Sequence, residues 1–296
     1  MKLPFGLPIP QGSSSKPEWD GKVFVLGEQK VPVLEYNENF SGWSDDLTYL
    51  HEEVAGNSHP IDIASRFDAI KQVKRYLPNE GGVVLEIGCS SGFFIQDLIR
   101  SFSNAIIIGS DVVREPLYRL ARELPGVPLI RFDLLQCPLP EESVDVLIML
   151  NVLEHIRDDV EAIKKSFTLL KPGGTLILEV PAGPSLYDDY DVELHHFRRY
   201  SMSELKNKLC RAGFHLSRQT HLGFLLFPAF AAVKLRNKLF PSKEKNMVVR
   251  KHARNTSNSG IIRLVMKFES KYFSGLNLPF GIRALIVARK PKDLPS

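Results

Sequence analysis

The chain has 296 residues, of which 44% are hydrophobic and 24% charged, with a net charge of +4. That length and balance suit a soluble globular protein of one large domain, or one domain with extensions, and a sizeable core. They exclude the strong basic excess of most nucleic-acid binders, and three scattered cysteines (Cys89, Cys137, Cys210) exclude a disulfide framework.

Residues 1–20 are rich in Pro, Gly and Ser and read as a loose segment; prolines interrupt any signal-peptide core. No run reaches the roughly 18 apolar residues that span a bilayer. A cytoplasmic protein is expected, with no nucleic-acid partner. Residues 23–26 read as a short strand. The stretch 36–47 mixes aromatics with acids and has no period. It reads as a solvated loop with aromatic anchors or as a lid, so residues 1–60 are taken as an extension. After His59-Pro60, Ile63, Phe67, Ile70 and Leu77 recur at helical spacing.

From Val83 the chain alternates. Strands are expected at 83–87, 105–109, 128–132, 144–150 and 175–180, with helices at 91–102, 115–124 and 158–170 between them. Nearly continuous apolar strands alternating with amphipathic helices predict a parallel sheet covered on both faces. Beyond Pro181 a loop carries Tyr187, Asp188, Asp189 and Tyr190 and then the run from His195 to Tyr200. Ser201 with Glu204 reads as a capping box opening a helix that stops at Gly213, and 214–221 as a strand. Residues 223–233 are mostly apolar, and eight Lys/Arg against one acid follow between Lys234 and Arg254. Helical spacing returns at 261–273 and a strand closes the chain at 282–289.

The turn after the first strand of this alternation is the informative one. Gly88 and Gly92 permit a tight backbone turn at a helix N-terminus, where unpaired N–H groups can meet a ligand. A dinucleotide fingerprint would need a middle glycine, which is missing, and Glu86 is a poor neighbour for a pyrophosphate. A carboxylate there suits a cationic ligand. The stretch 85–92 resembles the first motif of class I S-adenosylmethionine (SAM)-dependent methyltransferases. Further segments resemble that family in order: 106–111 ending in Asp111, 131–135 with Asp133, 145–156 ending in Leu-Glu-His-Ile, and Lys171-Pro172-Gly173-Gly174. The similarity is strongest to the small-molecule branch typified by ubiquinone and menaquinone biosynthesis.

The resemblance implies a Rossmann-like α/β fold of seven strands, mostly parallel, with the last antiparallel. It implies SAM as cofactor, held by Glu86, Gly88, Cys89, Ser90, Gly92, Asp111, Asp133, Leu134 and Asn151. The N–H groups near Ser90 would take the methionine carboxylate, Glu86 its amino group, Asp111 the ribose hydroxyls, and Asp133 or Leu134 the adenine amino group. Residues 61–222 form the core, 223–280 a helical insertion and 281–296 the final strand and tail.

Methylation of a hydroxyl needs a base. His155, His195 and Tyr200 are the catalytic candidates, with Glu154 and His196 also in reach of that role. Arg198 and Arg199 can bind an anionic acceptor. Adjacent His195 and His196 point differently and lack companion ligands at a metal-binding spacing, so no metal is expected. The acceptor is expected to be a small or lipid-linked molecule, methylated at oxygen. The apolar and basic segment 223–254 can touch the inner face of a membrane. A non-catalytic SAM-binding scaffold and an NAD-dependent oxidoreductase are the alternatives.

Overall fold

The computed structural model of the chain describes residues 2–36, 48, 56–239 and 259–293. Near the N-terminus β1 (Glu18–Trp19), β2 (Phe24–Leu26) and β3 (Gln29–Val31) form a small antiparallel sheet, with the Trp19 and Phe24 rings 4.8 Å apart. The next strand, β4 (Leu34–Glu35), leaves that sheet and pairs in parallel with β7 (Leu129–Arg131) of the main sheet. The N-terminal segment is therefore stitched to the core rather than hung from it. The proposed lid at 37–47 lies outside the described residues.

The main sheet adds β5 (Val83–Ile87), β6 (Ile106–Asp111), β8 (Val144–Leu150), β9 (Leu170–Pro181), β10 (His215–Leu222) and β11 (Arg283–Arg289). Its order is β10-β11-β9-β8-β5-β6-β7-β4, and β11 alone runs against its neighbours. All seven expected strands are present, and β4 makes an eighth at the edge. Alternate residues of the central strands feed opposite faces of the sheet, the pattern of strands buried on both sides. Leu85, Ile108, Leu147 and Leu178 enter one apolar cluster; Val84, Ile107, Val146 and Ile177 enter the other.

The helices are α1 (Pro60–Tyr76), α2 (Phe93–Ser101), α3 (Glu115–Glu123), α4 (Asp159–Leu169), the short α5 (Asp189–Glu193), α6 (Met202–Arg211), α7 (Phe227–Leu239) and α8 (Gly260–Tyr272). Helix α1 is turned from its expected face. Ile63 and Phe67 are 43% and 46% exposed, while Ser65, Asp68 and Gln72 are buried. The reason is a set of polar partners on the sheet: Ser65 donates to Glu179 of β9 at 2.8 Å, and Arg218 of β10 donates to Asp68 at 2.7 Å. Helix α8 likewise leaves Ile261, Leu264, Phe268 and Tyr272 exposed and buries Met266 and Glu269. Glu269 accepts from the N–H groups of Gly223 and Leu225, which fastens α8 to the entry of α7. Among the described residues no helix is long and apolar enough to cross a membrane.

Candidate active site

One cavity of about 980 Å³ opens at the carboxyl ends of β5, β6, β7 and β8. Ligands of open α/β sheets bind at this edge. The β5–α2 turn forms its wall. Gly88 and Gly92 adopt φ of +75° and +71°, and Ser90 is also left-handed at 45°. A Cβ on Gly88 would lie 2.4 Å from Val152 Cγ2. The turn is pinned from β6: the Ser90 N–H donates to Asp111 Oδ2 at 2.7 Å, and the Gly88 and Cys89 N–H groups donate to the Ser110 carbonyl. Asp111 Oδ1 also accepts from the Val112 and Val113 N–H groups. Asp133 accepts from the Leu135 N–H and so shapes the turn after β7. Asn151, at φ +56°, turns the chain out of β8, and its amide donates to Glu179 at 3.4 Å.

Glu86 stands behind the turn, 5% exposed, and its Oε2 has no hydrogen-bond partner among the described residues. Burial, and then the charge of Asp111, push its carboxyl well above the usual range. Burial likewise raises the Cys89 thiol, which is therefore unionised and inert. Glu86, Gly88, Cys89, Ser90, Asp111, Asp133, Leu134 and Asn151 all line the cavity; Gly92 lies just behind it as the N-cap of α2.

The other half of the cavity is lined by Glu154, His155, His196, Phe197, Leu226, Phe230, Val233 and Lys234, among others. Its polar centre is built on Asp191 of α5. That carboxylate receives His196 Nδ1 at 2.9 Å, Arg199 Nε at 2.8 Å and Lys234 Nζ at 3.1 Å. Burial works to raise Asp191, but the hydrogen bonds from His196 and Arg199 outweigh it and hold the group well below the carboxylate range. Burial keeps His196 below its ordinary pKa despite Asp191. Lys234 also reaches Asp188 at 2.5 Å, so α7 is tied to the loop that carries His196. The His155 and His196 rings meet edge to face at 4.7 Å between centroids.

Two of the three expected catalytic residues are misplaced for that role. His195 sits at φ +57°, exposed, and does not line the cavity. The chain reverses there, which turns its neighbour His196 inward instead. Tyr200 is buried under the site and donates to Asp159 at 2.8 Å; burial, then Asp159, push its hydroxyl far above the phenol range. It braces the fold. His155 does line the cavity. Arg198 and Arg199 are committed to Asp159 and Asp191 and are not open to an anion. Asp188, Asp191 and Lys234 carried no spacing signal; only the fold brings them together.

A family model described as "Methyltransferase domain" matches residues 85–178. A Mycolicibacterium smegmatis protein named a probable S-adenosylmethionine-dependent methyltransferase is 32% identical over 45% of this chain and 52% of its own length. An uncharacterized methyltransferase of Schizosaccharomyces pombe is 29% identical over 76% of this chain and 87% of its own. Residues 85–178 form a methyltransferase domain. The chain spans about half the length of the Mycolicibacterium relative and of its 29%-identical Mycobacterium tuberculosis counterpart. The likeness in fold to solved structures extends past the matched residues. Haemonchus contortus phosphoethanolamine N-methyltransferase 2 bound to SAM superimposes with a TM-score of 0.55 at 17% identity, over 82% of this chain and 56% of that one. The [4+2]-cyclase SpnF does so at 0.50 and 18%, over 77% and 81%.

The Mycolicibacterium relative is named for its dependence on SAM, and the residues present here fit that cofactor. The unpartnered buried oxygen of Glu86 matches an ammonium group, and glycines at 88 and 92 allow the tight left-handed turn where a Cβ would strike Val152 or Leu120.

Proposed function

We propose that the chain transfers the methyl group of SAM to a hydroxyl oxygen of a small or lipid-linked acceptor. Bound in the cavity, SAM supplies an electrophilic methyl group on a sulfonium. Glu86 holds the amino end, the Ser90–Gly92 turn the carboxylate, Asp111 the ribose and the Asp133–Leu134 turn the adenine. Asn151 borders the point of transfer, and the acceptor enters over Phe197, Leu226 and Phe230. Displacement at a sulfonium needs alignment of donor and acceptor, and for a hydroxyl it needs removal of a proton.

The observation that carries the oxygen reading is the Glu154–His155–His196 group at the acceptor end of the cavity, with Glu154 and His196 buried and His155 half-buried. An amine acceptor, as in the name of the Haemonchus structural neighbour, brings its own lone pair and has less use for such a group. The mostly apolar lining supports an acceptor with an apolar body. Exposed Leu225, Val233, Leu235 and Leu239, beside Arg236 and Lys238, support a membrane-facing role for the segment that begins at 223. Its continuation through residues 240–254 lies outside the described residues.

The reading is tested with methyl-labelled SAM against quinone and cell-envelope lipid fractions. The expected product is an extractable methyl ether formed with one S-adenosylhomocysteine per transfer. Label found only on nitrogen or carbon would overturn the oxygen assignment. Flotation with anionic vesicles tests the membrane part: the full chain should float, and loss of residues 223–254 should abolish it.

A further inference from the structure

Glu154, His155 and His196 each present one ligand-type atom, and the three atoms lie within 4.8 Å of one another. Ligands bonded to one ion at about 2.0–2.2 Å stand roughly 3–4 Å apart, so shifts of about an ångström or less close the trio on a single ion.

Glu154 is 0% exposed, yet neither carboxylate oxygen has a hydrogen-bond partner among the described residues beyond its own backbone N–H. A buried carboxyl left this way is costly unless a cation meets it. The nearby protein cations are engaged elsewhere: Arg283 bonds Glu179 and Asp62, and Arg199 and Lys234 bond Asp191.

His196 is prepared as a ligand. Ionised Asp191 can only accept, so the ring proton sits on Nδ1 and the Nε2 lone pair is left over. A carboxylate behind an imidazole is how ligating histidines are commonly oriented.

We propose that Glu154, His155 and His196 bind a divalent transition-metal ion, with Asp191 as the supporting carboxylate. Two imidazoles and one carboxylate suit zinc, iron(II), cobalt or manganese rather than magnesium or calcium, which take oxygen ligands. All three residues line the acceptor half of the cavity. The role of the ion rests on the oxygen-methylation reading: coordination lowers the acceptor hydroxyl's pKa and its proton passes to solvent. The O–C bond then forms as the C–S bond breaks.

The test is a zinc titration of the chelator-stripped full chain, without SAM, against a chromophoric chelator. The wild type should bind one zinc per chain. Glu154→Gln and His196→Gln should each weaken binding about 100-fold or more, and Asp191→Asn about 10- to 100-fold. SAM binding by the same variants serves as the check that they are folded. Absence of stoichiometric zinc binding, or variants that bind zinc as tightly as the wild type, would overturn the site. Zinc binding with no methylated oxygen acceptor would defeat the proposed function and leave the site standing. Transfer to oxygen that persists in a zinc-free, chelated enzyme would overturn the ion's role in transfer and leave the proposed function standing.

Discussion

Glu86→Gln separates the ligand-binding role of the β5–α2 turn from its structural one. The carboxyl is buried, has an oxygen without a partner, and faces the charge of Asp111. Without SAM it is a liability. A carboxyl whose pKa is raised by folding binds its proton more tightly in the folded state. Its stabilisation is full below the unfolded pKa near 4.5 and is lost as pH rises through the folded value. The isosteric amide removes that loss, so the ligand-free variant should melt above the wild type at pH 7.5 and lose the advantage at pH 4. With SAM the order reverses. A hydrogen bond to a charged group is worth about 1.5–3 kcal/mol, a 10- to 100-fold loss of affinity. At SAM about 100-fold over the wild-type Kd, binding contributes about 2.7 kcal/mol. That shifts Tm by roughly 5–10 °C in the wild type, and by only about 1–5 °C in the variant. Thermal melts with and without SAM, with titration calorimetry, read both effects. An unchanged Kd, or a ligand-free variant less stable than the wild type at pH 7.5, would refute the assignment.

Tyr200→Phe should lower stability by about 1–3 kcal/mol in a denaturant titration, because the buried Asp159 loses a donor; kcat and KM for any acceptor found should stay within about twofold. Gly88→Ala should cost about 1–2 kcal/mol from the left-handed backbone alone. The clash with Val152 adds to this, and SAM affinity should fall with it. Burial pushes Glu154 up to about 8. The metal-free wild type should therefore lose stability relative to Glu154→Gln between about pH 4.5 and 8 in paired melts, the sign being that of a raised acid. Saturating zinc should abolish that difference in pH slope by ionising the group.

The cofactor half of the site was legible because its residues sit at strand ends, where glycines and acids have local jobs. Gly88 supplies a turn, Asp111 ends β6 and Asp133 caps a turn after β7. Such signals survive in linear order. The acceptor half has no linear order. Glu154 and His155 follow β8, Asp191 and His196 lie in a loop after β9, and Lys234 comes from α7. The lack of a His/Cys/Asp/Glu spacing around His195 and His196 reads against a metal, whereas the ligand set proposed above draws on two loops and would show no such spacing. Neighbouring residues in irregular backbone were also hard to orient. A left-handed His195 sends His196 inward and itself outward, which periodicity cannot foresee. The buried face of α1 differs from its apolar spacing for a related reason. Glu179 and Arg218 on the sheet attract Ser65 and Asp68, so the helix buries its polar side there. Apolar spacing located α1 and α8 correctly while misstating which side is covered.

The proposed function depends on SAM binding in the cavity at the glycine turn. Calorimetric titration of the full chain with SAM and, separately, with NAD tests this most directly, with Asp111→Ala as the paired variant. One SAM site per chain is expected, lost in the variant, with no heat from NAD. Saturable NAD binding in the absence of SAM binding would contradict the proposed function.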